Sequence, residues 1–313
     1  MLFEKENALP PKSALWTSLL LFIPVFAAGL FFFNFIGLLV TLPLFNWDID
    51  QILFATAAPK GNDRIGLLIM QGVIAVGSFL LVPAWFMKQW DADKNLYKQT
   101  IAHICKPLPA TVWLAAIGVV VLALPMIGWA VKWNEAWQFP ALLAEFENWA
   151  KDKEAELKRL TLLLLDFQSP LELVLGLLVI AVIPGFCEEW LFRGFLQQRL
   201  QQLFGNKHVA VWVAAVLFSI FHLQFYGFVP RALLGAIFGY LFVFTGNLAL
   251  PMLAHFFNNA YTMLLMYAYH QKWTDINIED TPAVSPLMAI SSALLVMGLL
   301  MWLRKYENNP VKQ

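Results

Sequence analysis

The sequence predicts an all-α polytopic membrane protein with about eight transmembrane helices. Of the 313 residues 60% are hydrophobic and only 13% charged, and 27 Phe and 13 Trp add a large aromatic content. A soluble core of this chain length could not hide so much apolar surface. The apolar residues also fall in runs long enough to cross ~30 Å of hydrocarbon, which takes roughly 20 residues at 1.5 Å each.

The first run, 15–44, is long enough to tilt or bend, with Pro24 as the expected kink. The next two are 66–87 and 111–131. The fourth, 171–196, ends among charges, and 209–229, 231–246, 250–269 and 284–303 complete the eight, 231–246 being the short one with soft boundaries. Between the third and fourth, residues 133–168 combine an apolar stripe (Leu142, Leu143, Phe146, Trp149) with a face of Lys and Glu, the pattern of an interfacial helix. The apolar run after the N-terminal segment exceeds a signal-peptide core, so the first span is expected to be retained and the chain, 1–313, to form a single integral-membrane domain. Cys105 and Cys187 are too few and too different in setting for a disulfide framework.

Lys and Arg resist translocation, so their distribution predicts orientation. Eleven lie in the N-terminus, the C-terminus and the connections after spans two, four and six, against nine in the other connections. That bias predicts both termini in the cytoplasm. No long internal repeat is visible, which removes the pattern of a transporter built from matched halves.

The stretch "PGFCEEWLFRGF", Pro184 to Phe195, places two carboxylates and an arginine inside the fourth span. An ionisable residue there costs several kcal/mol unless paired or wetted and marks a functional site by default. Glu189 and Arg193 stand at i and i+4 in the favourable order and can satisfy each other. Glu188, rotated about 100° away, has no local partner. Pro184 and Gly185, one turn earlier, loosen the helix.

Two further polar groups lie in spans: His222 in "FSIFH" and, on one face of the seventh span, His255 with Asn259 in "HFFNN". Spans four and five read as a hairpin turning at Gly205, the midpoint of positions 188 and 222, so Glu188 and His222 should share a depth. "QQRLQQ", Gln197 to Gln202, reads as lying outside the hydrocarbon, which predicts an active-site notch open on that side, the cytoplasmic one. Taken singly, each residue has a plain reading: an intramembrane His or Asn commonly bridges helices, Glu189 with Arg193 is a structural pair, and Phe218 is a packing residue. Convergence of a carboxylate, two imidazoles and an amide at compatible depths favours chemistry. Two His and one Glu also resemble a catalytic zinc set; Asn259 suits an oxyanion donor better.

The motifs "EEWLFR", "FSIFH" and "HFFNN" resemble, intact and in order, the EExxxR, FxxxH and HxxxN motifs of the CPBP family of intramembrane endopeptidases, the type II CAAX prenyl endopeptidase and bacteriocin-processing family. "FRGFLQ" and "YLFVFTGNLALPMLAHFFNN" are also family-like, and the similarity covers about residues 170–270, the expected catalytic core. The resemblance implies peptide-bond hydrolysis in the membrane. By it, Glu188 and His222 activate water, His255 and Asn259 stabilise the tetrahedral oxyanion, and Glu189 and Arg193 support the site. No cofactor is expected, with zinc left open and Glu188, His222 and His255 as its candidate ligands. The expected partners are the lipid bilayer and a membrane-associated peptide or lipidated protein, not nucleic acid, in a bacterial inner membrane. The competing function is a non-catalytic binding or immunity protein, or a proton-coupled transporter using Glu188.

Overall fold

The computed structural model describes residues 10–55, 63–167, 169–276 and 284–307. Among these residues every regular element is helical: α1 Lys12–Thr41, α2 Ile49–Phe54, α3 Asp63–Gln89, α4 Leu96–Cys105, α5 Ala110–Glu135, α6 Ala144–Leu165, α7 Pro170–Phe204, α8 Lys207–Phe221, α9 Phe228–Thr245, α10 Ala249–His270 and α11 Pro286–Leu303. The protein is an all-α integral membrane protein, as its composition dictates.

Among the described residues six helices are long and apolar enough to cross a membrane: α1, α3, α5, α7, α9 with the turn before it, and α11. The expected count of eight is not reproduced, for two different reasons. α8 has 15 residues, about 22 Å at 1.5 Å each, because the chain turns at His222 and Leu223, the latter at φ 52°. The run expected to reach 229 therefore ends at Phe221, and α9 starts at Phe228 rather than 231. α10 has 22 residues, but His255, Asn258 and Asn259 dilute its apolar character.

Helix starts carry their own signals. Ser169, Asn206 and Ser285 accept hydrogen bonds from the first turns of α7, α8 and α11, with Pro170 and Pro286 in the first turn of two of them. α1 runs through Pro24 without a break. α7 passes through π-helical turns at Leu177–Val182, just before Pro184, and at Trp190–Gln197, which contains Arg193.

Contacts between helix ends define the two ends of the bundle. At one, Ser18 donates to Asp91, His103 to the Gly246 carbonyl, and Lys207 pairs with Glu307. At the other, Arg64 pairs with Glu172 and Asn134 donates to the Phe225 carbonyl. The Gly205 turn and both described chain ends thus lie together, opposite the His222–Gly227 turn. Residues 1–9 and 308–313, on which the expected orientation partly rests, lie outside the described residues.

The predicted interfacial segment 133–168 divides. Residues 133–135 complete α5, Ala141–Leu143 form a turn, α6 carries the amphipathic stretch, and residue 168 lies outside the described residues. α6 lies across the second end of the bundle, where Gln224 and Tyr226 donate to its Glu154 and Glu147.

Candidate active site

The charged stretch of α7 is pressed against α10. A Cβ on Gly185 would stand 2.9 Å from the Phe256 nitrogen and 3.1 Å from its Cα, a separation real Cβ atoms do not tolerate from backbone. Only glycine allows this approach, and it brings the carboxylates of α7 beside the imidazole and amides of α10.

Glu189 and Arg193 are both fully buried. Arg193 Nη1 donates to Glu189 Oε1 at 2.6 Å and Nη2 to the Gly235 carbonyl at 2.6 Å, which ties α7 to α9. The guanidinium sits 5.0 Å from the Phe218 ring centre and 5.6 Å from that of Phe238, so the cation meets a carboxylate, a carbonyl and two aromatic faces. The same Glu189 oxygen accepts from His255 Nδ1 at 2.9 Å.

Both imidazoles are oriented through Nδ1. His222 Nδ1 donates to the Phe218 carbonyl at 2.8 Å; a carbonyl only accepts, so Nδ1 carries the proton and Nε2 holds the lone pair. His255 has the same arrangement against a carboxylate, the Glu189 oxygen already paired with Arg193. Phe218 lies between them, 4.8 Å from the His222 ring and 5.8 Å from that of His255. Its role therefore exceeds the general packing expected from the sequence: it spaces both rings and faces the cation.

Asn259 is positioned by a gap in α7. Pro184 has no N–H, so the Ile180 carbonyl four residues earlier lacks its ordinary helical donor, and Asn259 Nδ2 donates to it at 3.1 Å. The second Nδ2 proton remains for another acceptor. Asn258 Nδ2 donates to Asn259 Oδ1 at 3.3 Å.

Glu188, His222, His255 and Asn259 line one cavity of about 670 Å³. Glu188 Oε2 is buried without a hydrogen-bond partner, and the charge of Glu188 acts on His222. All four residues singled out for chemistry are thus brought together. Sequence reasoning missed three others in the wall: Arg231, Asn258 and Glu154. A rotation of about 100° from Asn259 would set Asn258 on another face of α10, yet it lines the cavity. Arg231 did leave a signal, a cation within an apolar run, but it stood where the sixth span was taken to begin.

The mouth of the cavity corrects the sequence expectation. Its wall is made by the last turns of α5, by α6 and by the turn before α9, so it opens at the end of the bundle opposite Gly205. "QQRLQQ" does not end the helix. α7 continues to Phe204, about 24 Å beyond Glu188 at 1.5 Å for each of 16 residues, and several of its polar groups find partners on neighbouring helices. Arg199 is fully buried and paired with Asp91, Gln197 donates to the Gly239 carbonyl at 3.2 Å, and Gln198 donates to Thr100 at 3.2 Å. Cytoplasmic termini and a cytoplasmic notch, both expected from the sequence, therefore exclude each other. As for a metal, among the described residues no three His, Cys, Asp or Glu come together as a metal-holding group, so Glu188, His222 and His255 do not form a preassembled ligand set.

Residues 170–261 match the family described as type II CAAX prenyl endopeptidase Rce1-like. The uncharacterized protein YpbD of Bacillus subtilis (strain 168) is 30% identical over 88 residues, covering 27% of this chain and 42% of that protein. The chain thus spans less than half the length of this relative. No solved structure matches the chain. The family match begins at the first residue of α7 and encloses Glu188, His222, His255 and Asn259: residues 170–261 are similar to the Rce1-like type II CAAX prenyl endopeptidases.

Proposed function

We propose that the protein is an intramembrane endopeptidase that hydrolyses a peptide bond of a membrane-associated peptide or lipidated protein. The observation that carries this reading is the buried, unpartnered oxygen of Glu188 in a cavity shared with two oriented imidazoles and an amide. Glu188 takes a proton from water while the Nε2 lone pair of His222 helps to hold that water. Attack on the scissile carbonyl builds negative charge on its oxygen. The remaining Nδ2 proton of Asn259 and a ring N–H of His255, whose ring Glu189 orients, donate to it. Glu188 then returns its proton to the leaving amine, so a single carboxylate serves both steps. Glu189 and Arg193 keep His255 in place and do not touch substrate. The reading is metal-free.

We place the protein in a bacterial inner membrane as one domain, with a catalytic core over 170–270 and both termini cytoplasmic, on the strength of the Lys and Arg bias. In that orientation the mouth opens on the outer face; the opposite one would turn it to the cytoplasm. The decisive experiment is mass spectrometry of membrane peptides from cells carrying the active protein or Glu188→Ala. Cut sites present only with the active protein support the reading, and identical peptide profiles would refute it in favour of a binding protein.

A further inference from the structure

The helices bury two arginines fully, and a third, only partly exposed, is treated differently. Arg193 is ion-paired with Glu189 and Arg199 with Asp91. Arg231, in the first turn of α9 and in the cavity wall, has no ion-paired carboxylate among the described residues. Its Nη2 donates to Gln224 Oε1, and Gln224 Nε2 donates in turn to Glu154 Oε1 at 3.2 Å. Arg231 Nη1 and Glu154 Oε2 are both buried without a partner. The neutral side chain of Gln224 thus holds apart two opposite charges that would otherwise satisfy each other.

A desolvated guanidinium is stable only with a counter-charge or a full set of acceptors, and here one arm of the fork is unused. Its seat is built for it. A Cβ on Gly227 would stand 1.9 Å from Nη1, so any side chain there would displace the guanidinium. Gly227 lines the same cavity. Arg231 thus shares the cavity with Glu188 and His222, the residues of the proposed reacting centre.

We propose that Arg231 is the carboxylate-binding subsite of this cavity, and that the substrate carries a carboxylate, from an acidic side chain or from its own C-terminus, beyond the scissile bond. Planar two-point donation from a guanidinium matches a carboxylate better than any other peptide group. Glu154, brought across the mouth by α6, disfavours a second negative charge beside the first and confines the anion to the arginine. The assignment rests on the protease reading for the position of the scissile bond, but not for the binding event itself.

The test reads binding apart from turnover. Glu188→Gln protein in nanodiscs is titrated, by fluorescence anisotropy, with three probes. These are dansylated hexaleucine with a free carboxylate, its C-terminal amide, and the amide with glutamate in place of the last leucine. A carboxylate-bearing probe should bind about tenfold or more tightly than the neutral amide. A preference for the first probe identifies a chain terminus, and one for the third identifies an acidic side chain. In an added Arg231→Gln substitution the preference should vanish, and in Arg231→Lys it should persist in part. Equal binding of all three probes, no binding of any, or a preference that survives Arg231→Gln would overturn the proposal. The comparison among probes needs no arginine variant and stands even if Arg231→Gln fails to fold. If the preference is present while no peptide is ever cut by the active protein, the protease reading fails and the subsite stands.

Discussion

Glu189 and His255 share a 2.9 Å hydrogen bond across the α7–α10 contact, on the same carboxylate oxygen that receives Arg193 at 2.6 Å. One buried anion therefore fixes both a cation of its own helix and an imidazole of the facing one. Its neighbour in sequence, Glu188, fixes nothing.

That contrast separates two substitutions. Glu188→Gln should lower cleavage by about 10²–10⁴-fold, the range for a lost general base, with a melting temperature close to that of the parent. Glu189→Ala leaves Arg193 buried without its counter-charge and should cost about 3–5 kcal/mol of stability together with activity. Matched thermal melts and cleavage rates on the two variants check this, and equal melting temperatures would refute the division of labour.

Asn259→Ala should reduce kcat by about 10²-fold or more with little change in KM, as for loss of an oxyanion donor. It should also lower stability by about 1–3 kcal/mol, since the Ile180 carbonyl loses its donor. Asn258→Ala, which removes a bond to Asn259, should give a smaller loss of kcat. A purely KM effect in Asn259→Ala would make it a substrate clamp instead.

Gly185→Ala should push α7 and α10 apart by a few tenths of an ångström and misalign Glu188 with His255. Cleavage should fall although no reacting group has changed, because catalysis is sensitive to small displacements. Full activity in this variant would show that the close helix contact is not needed.

Dialysis against a strong chelator should leave the purified protein active. Activity lost to chelation and restored by zinc, with about one metal per chain that His222→Ala and His255→Ala both lose, would establish a metal mechanism.

Acid should weaken the end of the bundle remote from the cavity. Burial pushes His103 below its ordinary value of 6.5, the charge of Lys106 adds to this, and the hydrogen bond to the Gly246 carbonyl opposes it. A depressed value in the fold means that the neutral ring is favoured, so the stabilisation is complete above about pH 6.5 and is lost as pH falls through the lower folded value. The melting temperature should drop between pH 7.5 and 5, and His103→Gln should flatten that drop.

The features legible in the sequence are those that depend on spacing along one helix. The Glu189–Arg193 pair, the isolation of Glu188, and a loosened helix at Pro184 all follow from 3.6 residues per turn and the missing proline N–H. The features that were not legible depend on which helix faces which. The polarity of "QQRLQQ" reads as solvent until Asp91, Gly239 and Thr100 are seen to take up Arg199, Gln197 and Gln198. α6 reads as an interfacial helix from its charges alone; that it lies across the cavity depends on Gln224 and Tyr226, some seventy residues away. Phe218 looks like any core aromatic until two imidazoles and a guanidinium are placed around it.

The proline in α7 also has a consequence for how such a site could be silenced. Because residue 184 offers no hydrogen, the amide of Asn259 is recruited to a carbonyl that an ordinary helix would have kept for itself. Restoring the donor, as in Pro184→Ala, would mend one helix and dismiss the anchor of another. The side chain of Asn259 would then turn without leaving its position in the sequence. A change that looks like a repair, at a residue with no ionisable group, should therefore disarm the chemistry while making α7 a better helix.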